Sequence, residues 1–240
     1  RANYYDRYYN GVEGLTILFA AGNDGPGVGT ANSPATAKNS ITVGSHQNRY
    51  SGAPDTVWDS SSRGPTDDNR IKPDIIAPGA YVRSCLSQDA TDTSGGTVQN
   101  GGWYIEYSGT SMATPNAAGS AALIREYILE IGQRPTPQGA LVKALLVLGA
   151  KDVGTRDIPN NNEGWGRIDL QNTLAPTGNR GIWVDDRSVL SGTGNFKTYT
   201  FNVTTSGQPF KAVLCWSDER GSRFSTNQLV NDLNLEIETP

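Results

Sequence analysis

Read for the rhythm of its apolar and polar positions, the chain falls into two parts. Leu15-Thr-Ile-Leu-Phe-Ala-Ala21 is a continuous apolar run closed by Gly22, which predicts a short strand buried on both faces in a parallel sheet. Before it, tyrosines at 4, 5, 8 and 9 have helical spacing and stop at Asn10-Gly11, the signature of an amphipathic helix ending there. Residues 116–131 are apolar and alanine-rich, and Ser111 sits where an extended or looped approach turns into this helix. Small residues at Ala113, Ala117, Ala118, Gly119, Ala121 and Ala122 predict a helix packed closely by its neighbours rather than one on a wet surface. After a break at Arg134-Pro-Thr136-Pro137, a second helix is expected, with Thr136 as N-cap, Pro137 in the first turn, and a buried stripe of Leu141, Ala144, Leu145 and Leu148. Residues 87–102 show no periodicity and read as a long Gly/Ser/Thr/Asp-rich loop.

From Ile182 the period changes to two. Residues 196–203 place Tyr199, Phe201 and Val203 on one face, and residues 210–216 and 229–237 are similarly strand-like, with turn clusters between them. The expected fold class is therefore α/β: a three-layer, parallel-sheet domain incomplete at its N-terminus, then an antiparallel β-sandwich. About four strands in about 60 residues are few for a free-standing sandwich, so this second domain is expected to be partial. The boundaries read as 1–176 for the first domain, 177–180 for the linker and 181–240 for the second.

Composition narrows the function. The formal charge of -4 among 240 residues, with a pI near 5.0, gives no basic footprint for nucleic acid. No apolar run reaches the roughly 18 residues of a membrane span. A single histidine, His46, excludes a histidine metal cluster. Cys85 and Cys215 fall in separate expected domains, and a disulfide between them is not favoured.

Chemistry concentrates at Ser111. The first turn of a helix leaves N–H groups unpaired and carries positive dipole charge, so it favours negative charge developing near a nucleophile's target. Gly109 allows close backbone approach and Thr110 is able to cap. By themselves these residues equally describe a capped helix with an ordinary serine in its first turn. Glycines at 25, 27 and 29 suggest a phosphate loop only superficially, because Pro26 and the polar run 30–34 continue as loop where a dinucleotide fingerprint would open a helix.

The longer string Gly109-Thr110-Ser111-Met112-Ala113-Thr114-Pro115, with Gly119 following, resembles the nucleophile segment of the subtilisin-like serine proteases, the subtilases. The resemblance implies that Ser111 is the nucleophile, and that Ala20-Ala21-Gly22-Asn23 presents Asn23 as a donor to the oxyanion. It further implies a substrate site formed by Ala20, Ala21, Gly22, Asn32, Gly109 and Thr110, and a cis Ser33–Pro34 bond. Ser60-Ser-Ser-Arg-Gly-Pro65, Lys72-Pro-Asp-Ile-Ile-Ala-Pro-Gly79 and Gly164-Trp-Gly-Arg-Ile-Asp-Leu170 resemble further subtilase segments, the last leading into a short helix to Leu174. Between the first two, Thr66-Asp67-Asp68-Asn69 reads as an exposed, solvated acidic turn, in a place where some members bind a weakly held cation. Trp216-Ser-Asp218 and Leu229-Val-Asn-Asp-Leu-Asn-Leu235 resemble a jelly-roll domain that follows some subtilase domains. There Asp218, Asn231 and Asp232 become candidate Ca2+ ligands, beside the equally weighted reading of outward polar residues and a turn aspartate.

The family's base and its orienting aspartate lie upstream in segments with no counterpart here: no Asp-Thr-Gly, Asp-Ser-Gly or His-Gly string occurs. His46 lacks the family's surroundings for a base and reads as a surface or loop residue. The match is thus to the C-terminal half of a catalytic domain, inactive or nearly so alone. Its expected partners are polypeptide substrates and the N-terminal part of the same protease, with no nucleic acid and no membrane. The chemistry needs no cofactor, Ca2+ is a structural ion at most, and the family places the protein outside the cell. The competing class is an inactive scaffold working through the sandwich. An α/β-hydrolase is excluded because Ser111 lacks a Gly-x-Ser-x-Gly elbow.

Overall fold

The computed structural model describes residues 2, 5, 6, 14–50, 52–130 and 136–239. The tyrosine-rich helix expected before Gly11 falls mostly outside them. Three parallel strands form the first sheet in the order β1 (Leu18–Ala20), β2 (Ile41–His46), β3 (Ile75–Pro78). Leu18 pairs with Ile41 and Val43 with Ile75, so successive strands run in one direction. β2 is buried along its whole length and β3 nearly so, which is why Ile41, Val43, Ile75 and Ile76 can follow one another without polar relief. β1 is only half-buried, against the expectation of burial on both faces, because among the described residues it has a strand neighbour on one side only. Beyond β3 the sheet continues as a single parallel bridge from Ile76 to Arg167.

Helix α1 (Thr110–Glu130) lies across this sheet and buries Thr110, Ala113, Ala117, Ala121, Ile124 and Ile128. These positions recur every three or four residues, as one helix face requires. Alanines bring the helix axis close to the strands, and the isoleucines at its far end join the core of α2 (Gly139–Gly149). The opposite face qualifies the expectation of a closely packed helix away from a wet surface: Ala118, Gly119, Ala122, Leu123, Glu126 and Leu129 are exposed.

α2 begins at Gly139, two residues later than expected. Gln138 is its N-cap residue, without a side-chain cap, while the Thr136 hydroxyl accepts from Arg187 Nη2 at 3.1 Å instead of capping. Leu141 and Leu145 are buried as expected, with Val142 and Leu146 widening the stripe, and Ala144 and Leu148 are half-buried. α3 (Leu170–Leu174) is capped by Asp169, whose side chain accepts from Asn172 N.

The long loop expected over 87–102 is only partly a loop. β4 (Val82–Cys85), β5 (Thr97–Gln99) and β6 (Tyr104–Tyr107) form a second, antiparallel sheet in the order β4-β6-β5. Gly101 and Gly102, both at positive φ, turn the chain so that β5 returns alongside β6.

Beyond Leu174 the described residues form neither helix nor strand. The alternating segments 196–203, 210–216 and 229–237 therefore do not assemble into the expected antiparallel sandwich here. Trp183 meets Tyr199 at a tilt and Phe201 edge-on, with centroids 4.6 and 5.3 Å apart, and Phe201 meets Phe210 at a tilt at 5.7 Å. Phe196 is 85% exposed and Phe210 open to solvent, so among the described residues these side chains meet no opposing layer that would specify a register. Cys85 and Cys215 are both free thiols, and burial pushes that of Cys215 up to about 11.

Candidate active site

The site is built where the end of β1 meets the start of α1. Ala21 N donates to Val43 O at 2.9 Å, which carries the chain one residue past β1, and Gly22 turns it at a φ of 108°. A Cβ on Gly22 would sit 2.8 Å from Ser62 Oγ, so only glycine lets the chain pass there. Ser62 holds the turn from below, its N–H donating to Gly22 O at 2.9 Å and its hydroxyl accepting from Asp24 N at 3.0 Å. Asn23 projects from this turn.

Thr110 joins the two elements. Its backbone N–H donates to Asn23 Oδ1 at 2.9 Å, its hydroxyl donates to the same oxygen at 3.1 Å, and it accepts from Gly22 N at 3.2 Å. The residue expected to cap α1 is thus the fully buried link to Asn23. Because a backbone N–H can only donate, it fixes which end of the Asn23 amide is oxygen, and Nδ2 is left directed away from this link. Gly109 completes the junction, donating to Gly79 O at 2.8 Å, with room for a Cβ only 3.3 Å from Asn23 Oδ1. Ser111 follows in the first turn of α1, exposed, and no described residue hydrogen-bonds its hydroxyl.

The other expected substrate residues divide. Ala20, Ala21, Gly22, Gly109 and Thr110 converge on this junction, Ala21 being buried and Ala20 half-buried. Asn32 is exposed and turned to its own loop, Nδ2 donating to Thr30 O at 3.3 Å; no hydrogen bond ties it to Asn23 or Ser111 among the described residues. The Ser33–Pro34 bond is cis, as the resemblance implies.

His46 is not the surface or loop residue expected. It is the last residue of β2, 3% exposed, covered by a bridge to Val57 and paired with Pro78. Burial lowers its pKa, assisted by the charge of Arg167, while the contact of Nδ1 with Gln47 O opposes the shift. It is enclosed, and among the described residues no hydrogen bond joins either of its ring nitrogens to Ser111.

The acidic turn 66–69 is only partly solvated: Asp67 and Asn69 are exposed as expected, whereas Thr66 is buried and Asp68 half-buried. Asp68 accepts from Arg70 Nε at 2.8 Å, from Thr66 Oγ1 at 2.6 Å and from Gln228 N at 3.1 Å. Burial raises its pKa, but the hydrogen bonds of Arg70 and Thr66 outweigh that and bring it to about 2.

Asp218 and Asn231 do come together, though as partners of each other. Asp218 Oδ1 accepts from Asn231 N and Nδ2, both at 2.9 Å, and Oδ2 accepts from Val230 N at 2.9 Å and Lys38 Nζ at 2.5 Å. Asp232 is exposed and no hydrogen bond joins it to them.

Two polar clusters were not anticipated. Asp74, fully buried, is bound by Lys72 Nζ and Lys143 Nζ, each at 2.8 Å, and by Thr42 N at 2.7 Å. Burial lowers the Lys72 ammonium to about 8 despite Asp74. Asp152, Asp157 and Glu163 bring carboxylate oxygens within 4.8 Å of one another, and burial raises the pKa of Glu163. Their spacing in sequence carries no ligand pattern; only the turn between Asn160 and Gly164 gathers them.

Residues 2–166 match the family model of the subtilase family. The serine protease AprX of Bacillus subtilis is 38% identical over 164 residues, covering 67% of this chain and 35% of its own. A serine protease/ABC transporter B family protein, tagD of Dictyostelium discoideum, is 29% identical over 233 residues, covering 74% of this chain and 13% of its own. The chain thus spans well under half the length of either relative. Among solved structures, the CspB protease of Clostridium perfringens superposes with a TM-score of 0.50 at 29% identity, covering 61% of this chain and 28% of that one. A lanthipeptide protease gives 0.52 at 21% identity, covering 72% and 52%, a likeness of fold.

Proposed function

The chain belongs to the subtilase family of serine proteases, and from that membership we propose that it carries the nucleophile and one oxyanion donor of an endopeptidase. Ser111 Oγ, giving its proton to a base, attacks the carbonyl of a polypeptide substrate while the Asn23 Nδ2 amide donates to the oxyanion; collapse breaks the C–N bond, the amine leaves with that proton, and water hydrolyses the acyl group left on Ser111. The observation that supports this reading is the Thr110 link, which fixes the Asn23 carboxamide one residue from Ser111 with its oxygen already occupied. An asparagine serving only as a turn former has no need of that restraint.

The proton of Ser111 needs an acceptor, and His46, enclosed and with no hydrogen bond to Ser111 among the described residues, is not placed to be one. The base and its orienting aspartate therefore come from a polypeptide segment other than these residues, and the upstream part of the same protease is the partner we infer. The inactive-scaffold reading is not favoured, since Asn23, Thr110 and Ser111 are all in place. We also propose that the protein acts outside the cell; among the described residues no helix is long and apolar enough to cross a membrane. The sandwich, as an independent second domain, stays part of this proposal. Structural Ca2+ is not assigned to Asp218 and Asn231, whose bonds already satisfy each other.

A fluorophosphonate probe tests the reading. The 240-residue chain is expected to remain unlabelled, and the same chain with the family's Asp- and His-bearing segment supplied to label at Ser111. Labelling elsewhere, or labelling that survives Ser111→Ala, overturns the nucleophile; labelling of the chain alone overturns the need for an outside base.

A further inference from the structure

The residues that suggest calcium near Asp218 do not fit it, and the reason points to a different ligand. A carboxylate accepts about four hydrogen bonds, and Asp218 already accepts four. The charged partner among them is Lys38. Its ammonium donates to Asp218 Oδ2 at 2.5 Å, to Glu219 O at 2.5 Å and to Gln228 O at 2.6 Å, using all three of its protons. One carboxylate and two carbonyl oxygens are the donor set a hard cation selects. Here that set encloses an amine, and the two side chains are 5% and 3% exposed.

We propose that loop 218–231 is a cation receptor whose cation is the chain's own Lys38 ammonium. The tethered charge docks the C-terminal segment onto the 36–40 loop of the catalytic body. A second set of bonds gives the joint its register. Asn39 Nδ2 donates to Asp218 O at 2.8 Å, and Asp218 N donates to Asn39 Oδ1 at 2.9 Å, a reciprocal pair that leaves one way to seat the loop. Gln228 N adds a bond to Asp68, whose partner Arg70 donates to Thr36 O at 3.0 Å beside the same loop. From beneath, Lys143 Nζ holds the 36–40 loop through Lys38 O and Ser40 O at 3.2 and 3.1 Å, so the amine is presented from a fixed backbone. The segment that docks is otherwise without secondary structure; Val213 packs against the core and Trp216 is half-buried, while Phe196 and Phe224 face solvent. That apolar contact fixes no register, and the Lys38 charge with the Asn39 pair supplies it.

This inference stands apart from the role of Ser111, and its test reads no catalysis. Hydrogen exchange at the Val230 and Asn231 amides, both bound to Asp218, reports the joint. In Lys38→Ala their protection is expected to fall at least tenfold while that of Ile124 and Ile128 in α1 is unchanged. Methylammonium or K+ is expected to restore part of it by entering the vacated oxygens. Unchanged protection in Lys38→Ala overturns the proposal, and so does a loss that neither cation reverses. Should Lys38→Ala fail to fold, amine acylation of the unaltered chain decides. Lys38 is expected to react at least tenfold more slowly than Lys151, which is half exposed. Equal rates, or Ca2+ at millimolar concentration making Lys38 reactive, overturn the proposal.

Discussion

Thr110 shows how one side chain carries more than its neighbour at the same site. Its hydroxyl is buried and accepts from Gly22 N, so Thr110→Val encloses a methyl where that N–H needs an acceptor. A loss of about 1–3 kcal/mol of folding stability is expected by urea denaturation. Ser111→Ala, at an exposed hydroxyl without a described partner, is expected to stay within about 0.5 kcal/mol of the parent. Ser111 and Asn23 were legible in sequence because each lies in a short contiguous string. Thr110's link between them was not, since it spans 87 positions. The same holds for His46, enclosed by Val57 and Pro78, which no local pattern brings to it. Burial holds its pKa below the usual 6.5, so between those values the unfolded chain binds more protons than the folded one. Its contribution is complete above about pH 6.5 and is lost as pH falls through the lowered value. The urea midpoint of the parent should drop between pH 7.5 and 5.5 by more than that of His46→Gln; equal drops would show that His46 titrates as if exposed.

At the scale of elements, α1 was read correctly as a helix packed closely by its neighbours, but only one of its faces is so packed. Small residues say how near a neighbour can come, not how many neighbours there are. The alanines at 113, 117 and 121 meet β2 and β3, whereas Ala118 and Ala122, identical in type, meet solvent. The two faces differ measurably. Ile124→Ala opens a cavity in the core and is expected to cost about 2–5 kcal/mol, while Leu123→Ala, one position earlier and 48% exposed, is expected to cost about 0.5 kcal/mol or less. Denaturation of the two variants side by side checks the assignment, and comparable losses would mean that Leu123 is covered. β5 escaped the sequence reading for a related reason: three residues in a glycine-rich stretch make a strand only because β6 is beside them. The 196–237 segments are the converse, with a clear period of two and no strand partner among the described residues to turn it into pairing.

Across the whole molecule, polar contacts join the apolar core in tying distant parts of the chain, and sequence reading had placed several of them in water. Asp68 is one: it was read as a solvated turn residue, yet it joins Thr66 and Arg70 to Gln228, 160 positions away. Its carboxylate stays ionised down to about pH 2, against 3.8 for the free side chain. The depressed pKa means that its stabilising effect is fully present above about pH 4 and disappears as pH falls from there through about 2. Nearly two units correspond to a little over 2 kcal/mol at most, and partial exposure to solvent screens this to about 1–2 kcal/mol. Asp68→Asn retains an acceptor for Gln228 N but has no charge to lose. Its stability at neutral pH should therefore be lower by about that amount, and its decline between pH 4 and 2 correspondingly shallower than the parent's. The lowered carboxylate of Asp218 titrates in both proteins and cancels from the comparison. Parallel acid limbs in thermal unfolding would place Asp68 back in solvent and free the Gln228 side of the C-terminal segment from the body.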